Sequence, residues 1–103
     1  MNGVEGALHL DEVGTSRALL GFDGPRGRRL ADRVAVLVAA QRRLGEVEGF
    51  GESRHGILTF ERHAIAWVCC ADGVIVTLGS PGASPGLVLS HATRLASQEP
   101  PGE

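Results

Sequence analysis

Between roughly residues 28 and 44 the apolar side chains recur at helical spacing, and this is the only long stretch of the chain that does so. Leu30, Val34, Leu37, Val38, Gln41 and Leu44 fall on one stripe, while Ala35, Val36, Ala39 and Ala40 carry apolar character around much of the remaining circumference. A helix that is apolar on more than one face is buried on more than one face. The whole chain has 103 residues, enough for one domain with its own core. One sheet in a domain of that size covers one face of the helix, so the other face is expected to meet a second subunit. Val36, Ala39 and Ala40 are the candidates for that contact.

The sequence around this helix reads as short strands. Residues 3–13 alternate Gly6, Leu8 and Leu10 with Ala7, His9 and Asp11, and a turn at 14–16 leads to a second strand over 17–22. Asp23, Gly24, Pro25 and Gly27 break that strand, and Gly45 is placed to cap the helix at its far end. Three more strands are expected over 53–62, 64–70 and 74–78. The middle one is apolar on both faces, as a covered central strand is. Ala71, Asp72 and Gly73 signal a hairpin between the last two. Ser84 and Pro85 then open a second helix to about residue 97, with Leu87, Val88, His91, Ala92 and Leu95 on its apolar side. The order is ββ-α-βββ-α, an α+β class: a five-stranded antiparallel sheet with one helix on each face. Residues 1–98 form one expected domain and 99–103 a flexible tail.

Chemistry is sparse. The net charge of −2 argues against a nucleic-acid binder. No apolar run reaches the roughly 20 residues of a membrane span, and the opening residues lack the pattern of a signal peptide; both point to a cytoplasmic chain without membrane insertion. Cys69 and Cys70 are adjacent, which suits two small apolar side chains in a strand better than a disulfide or a reactive thiolate. His9, His55, His63 and His91 show no zinc-ligand spacing, and no nucleophile, base and orienting acid stand out. Neither an enzymatic activity nor a cofactor is expected. All ten basic residues are arginines, and four of them, Arg26, Arg28, Arg29 and Arg33, gather at the start of the long helix. That is the positive end of the helix dipole, where unpaired cations are unfavourable. Such clusters are most often solvated faces; as a contact they suit an acidic protein surface or a phosphate. Arg26, Arg28 and Arg29 are the candidate partner contacts. Gly24 to Gly27 lack the spacing and the Lys-Ser/Thr ending of a phosphate loop.

The element order, together with several local phrases, resembles the roadblock (dynein light chain) family over nearly the whole chain. Gly3-Val4-Glu5-Gly6-Ala7-Leu8 is similar to its opening strand, and Asp72-Gly73-Val74-Ile75-Val76-Thr77-Leu78 to its last hairpin and strand. Pro81-Gly82-Ala83-Ser84-Pro85-Gly86-Leu87-Val88 is similar to the start of its last helix. Bacterial members often read Pro-Asp-Ala-Asn-x-Gly-Leu there, so Gly82 and Ser84 depart from the pattern. Members usually carry a helix before the first strand, where this chain has Met1 and Asn2; the sheet face such a helix covers is expected to be open to a partner. The resemblance implies strand order 2-1-5-4-3, with the third strand at an edge. That edge contains no Pro to block pairing with another chain. In the family the long helices of two subunits pack together and the edge strands join, which places Ile57, Leu58, Thr59 and Phe60 near the seam. The function implied is a non-catalytic homodimeric regulator or adaptor for a small Ras-like GTPase. The alternatives are a structural dimer or scaffold subunit with no nucleotide-linked partner, and a cysteine-based redox function.

Overall fold

The computed structural model describes residues 3–22 and 24–98. Along the chain lie β1 (Val4–Leu10), β2 (Ser16–Leu20), α1 (Gly24–Glu48), β3 (His55–Thr59), β4 (Ala64–Cys70), β5 (Gly73–Gly79) and α2 (Pro85–Gln98). The strands form one antiparallel sheet in the order β2-β1-β5-β4-β3, as the resemblance implied. The tail expected at 99–103 lies outside the described residues.

The two faces of the sheet differ in side-chain size. Ile65 and Trp67 of β4, Val74, Val76 and Leu78 of β5, and Leu8 and Leu10 of β1 all point toward α1, where Ala31, Val34 and Val38 complete the main core. On the opposite face Ala64 and Ala66 of β4 are the residues against which Val88 of α2 packs, with Val68 and Cys70 further along the same face of the strand. Small residues let a helix backbone come close. A methyl group at Gly79 would stand 2.6 Å from a Val88 methyl carbon, and the buried Thr77 hydroxyl donates to the Val88 carbonyl at 2.9 Å. The bulky face holds α1 further off.

Local signals explain most element ends. Asp11 stops β1 because its Oδ1 accepts from the Val13 and Thr15 amides, at 3.0 and 2.8 Å. Ser84 caps α2 by accepting from the Leu87 amide at 3.3 Å. α1 departs from expectation at both ends. It starts at Gly24, so Gly24, Pro25, Arg26 and Gly27 form its first turn instead of a break before it. Proline is tolerated there because the first-turn amides have no partner within the helix. Gly27 packs closely on Phe22, since a Cβ there would stand 3.1 Å from Phe22 Cβ. At the other end the helix runs past Gly45 to Glu48. The glycine that turns the chain is Gly49, at φ +70°, and the Phe50 amide then donates back to the Gly45 carbonyl at 2.8 Å. Gly45 is buried inside the last turns with its Cα backed by the Gly51 carbonyl.

Register settles which residues of β1 face which helix. Leu8 and Leu10 face α1; Ala7 and His9 pair with Thr77 and Ile75 on the α2 face. All four of the latter are buried within the chain, so the apolar opening expected near the first two strands is absent on β1, while Leu20 of β2, paired with Ala7, is exposed on that face. Most of the exposed large apolar side chains lie instead on α1, just beyond it, and around β3.

The tight α2 layer yields a test. Ala66→Leu adds bulk where Val88 already fills the gap, and is expected to lower stability by about 1–3 kcal/mol. Urea unfolding at fixed protein concentration should show an earlier midpoint with an unchanged slope; an unchanged midpoint would mean that α2 is not closely packed.

Candidate functional site

The outward side of α1 carries a second apolar stripe. Val36, Ala40 and Val47 each lie two positions beyond the buried Val34, Val38 and Gly45, a rotation of about 200° around the helix. They therefore point almost directly away from the core. Val36 is 70% exposed, Leu44 56% and Val47 65%. Leu44 was expected on the sheet-facing stripe. Because Gly45 is fixed inward against Gly51, its neighbour one position back turns outward and joins the second stripe.

β3 forms the edge of the sheet beside β4, with no strand on its outer side among the described residues. The residues expected at the seam divide. Ile57 and Thr59 are exposed, whereas Leu58 is half-buried against the main core. Phe60 lies just past the end of β3, 58% exposed, where its amide donates to the His63 carbonyl at 2.8 Å. Ala39 and Ala40 are exposed on α1. One side chain ties helix and edge together. Gln41 accepts from the Trp67 indole N–H at 3.1 Å and donates to the His55 carbonyl at 2.6 Å. The Trp67 ring lies over Gly56 so closely that no side chain fits there.

The arginines at the start of α1 separate into two groups. Arg26, Arg29 and Arg33 line an open groove of about 560 Å³ together with Leu30, Phe60 and Arg62. Arg62, which the sequence cluster did not include, comes from the turn between β3 and β4. Arg26 is engaged by Glu5 at 3.2 Å. Arg28 does not line this groove and borders a separate small pocket with Phe22 and Ser16 instead. The groove joins basic and apolar surface beside the outer stripe of α1.

The cysteines face opposite sides of β4. Cys69 packs beside the main core, with its sulfur 3.8 Å from the Ser53 hydroxyl. Cys70 reaches the β4–β5 hairpin, 3.5 Å from Asp72 Oδ1 and 3.4 Å from the Gly73 carbonyl. His9 Nε2 stands 3.7 Å from the same Asp72 oxygen. Spacing along the sequence showed no metal-ligand pattern, yet folding brings these three potential ligand atoms within 4.8 Å of one another. The strand pairing β1–β5–β4 makes the juxtaposition, and a linear motif has no means of recording it.

A five-stranded antiparallel sheet in this order, with one helix on each face, is the roadblock-like fold. Among solved structures the chain is similar to Myxococcus xanthus MglB, with a TM-score of 0.75 and 18% identity, over 91% of this chain and 77% of that one. No protein-family model matches the sequence, and no curated protein does. Among the described residues, no helix is long and apolar enough to cross a membrane.

The Gln41 bridge is open to measurement. Gln41→Leu leaves the half-buried indole N–H of Trp67 without its partner, which is expected to lower stability by about 1–3 kcal/mol. Urea unfolding followed by the fluorescence of Trp67, the single tryptophan, should show the loss; an unchanged midpoint would show that water replaces the bond.

Proposed function

We propose that this chain is a homodimeric, non-catalytic regulatory or adaptor module that binds a small Ras-like GTPase in the cytoplasm. The observation that carries the reading is the second stripe of α1. Val36, Leu44 and Val47 stand in water on the side opposite the core, and contiguous apolar surface of this kind marks an interaction site. The roadblock-like fold supports the same reading, because in that family the equivalent helices of two subunits pack together and the edge strands join. In the proposed dimer Val36, Ala39 and Ala40 meet their counterparts across the helix contact. Ile57, Thr59 and Phe60 lie along the strand seam, and Leu58 contributes backbone while its side chain stays in the core. The GTPase follows from the family resemblance, and the arginine groove is consistent with an acidic partner surface. Arg26 and Arg29 are the proposed contacts within the groove, with Arg28 on the neighbouring side of α1.

Two measurements test this. Sedimentation should give a dimer at micromolar concentration, with an interface burying about 1,600 Å² in total. The pair Val36→Asp and Leu44→Asp should yield a folded monomer, with the helical circular dichroism retained. A monomeric wild-type chain would refute the dimer. Capture from native lysate, followed by binding of the recovered GTPase in its GDP and GTP forms, should show a nucleotide-dependent complex. Recovery of no GTPase alongside intact self-association would favour the scaffold reading instead.

A further inference from the structure

We infer that His9, Cys70 and Asp72 form a binding site for a divalent transition-metal ion, with Zn²⁺ the best match. The site is independent of the proposed dimer and of any GTPase. Its first support is distance. Zinc bonds of roughly 2.0 Å to nitrogen or oxygen and 2.3 Å to sulfur, in tetrahedral geometry, place the ligand atoms about 3.3–3.6 Å apart. Cys70 Sγ lies 3.5 Å and His9 Nε2 3.7 Å from Asp72 Oδ1, and all three atoms fall within 4.8 Å of one another. The widest of the three separations, at most 4.8 Å, would close by about 1 Å around a bound ion.

The second support is His9 itself. The residue is 8% exposed, and its Nε2 is buried without a hydrogen-bond partner. A buried polar atom in that state is unusual and calls for a partner. Its lone pair, in the tautomer with the proton on Nδ1, is the group that ligates a metal. The donors also select the ion. Imidazole and thiolate favour zinc and its neighbours, whereas magnesium and calcium prefer all-oxygen sites. On binding, the Cys70 thiol releases its proton to water and its sulfur bonds the ion, while the Asp72 carboxylate supplies the second negative charge that balances the 2+. Asp72 is half-exposed, so the fourth coordination position opens to solvent, where water or a donor from another molecule completes the shell. The bound ion would pin the end of β1 to the β4–β5 hairpin and stabilise the fold by mass action.

The full chain, stripped with chelator and titrated with Co²⁺ alone, tests the site. Wild type should bind one ion per chain and develop both the thiolate-to-Co²⁺ charge-transfer band and the visible bands of tetrahedral cobalt. Zn²⁺ should displace the cobalt and raise the melting temperature. Cys70→Ser should abolish the charge-transfer band, Cys69→Ser should keep it, and Asp72→Asn should weaken binding by about tenfold or more. His9→Gln should do the same; if that variant fails to fold, the Cys70 and Asp72 variants at the hairpin decide. Absence of the band in wild type, its survival in Cys70→Ser, or its loss in Cys69→Ser would overturn the assignment.

Discussion

The alternation of small and large side chains over Ala64–Trp67, the first four residues of β4, governs the rest of the molecule. Ile65 and Trp67 project to one side of the sheet, Ala64 and Ala66 to the other, and the period-two geometry of a strand makes that division absolute. The small side admits α2 into contact with β4 and β5, where Thr77 bonds the helix backbone directly. The large side needs a thicker layer, which α1 supplies through Ala31, Val34 and Val38. Reversing the alternation would exchange the helices, so a one-residue slip of β4 is strongly disfavoured.

α1 is held by this layer on one side alone. Its length, from Gly24 to Glu48, exceeds what the core stripe uses, and the opposite stripe keeps Val36, Leu44 and Val47 in water. Gln41 fixes the rotation of the helix by bonding Trp67 and the β3 backbone together, so the outer stripe has a defined direction. The arginine groove beside it mixes guanidinium groups with Leu30 and Phe60, a combination suited to a partner whose surface is acidic at one point and apolar at the next.

Much of this fold was legible in the sequence where periodicity and turn chemistry agree. The span of β4 follows directly from its apolar run, and the start of α2 from Ser84 and Pro85. The ends of α1 differ from expectation because glycine and proline, which commonly break helices, lie within this one. At Gly24, Pro25 and Gly27 they serve the first turn, and at Gly45 the glycine answers a close backbone approach from Gly51. The inward placement of Gly45 also turns Leu44 outward, away from the stripe that its spacing suggests. The outward exposure of Val36, Ala39 and Ala40 followed from the excess of apolar character on one short helix. The grouping of His9 with Cys70 and Asp72 could not follow, since it depends on which strands are neighbours and on the twist of a hairpin, neither of which leaves a spacing in the chain.

The central claim is that the outer face of α1 and the open edge of β3 are covered by a second copy of the chain. Amide hydrogen exchange across a range of protein concentrations tests it most directly. If the claim holds, the β3 amides that face away from β4 become protected as concentration rises, together with a slowing at the middle of α1. If those β3 amides exchange at the rate of a free strand edge at every concentration, the edge is not a seam and no second copy covers it.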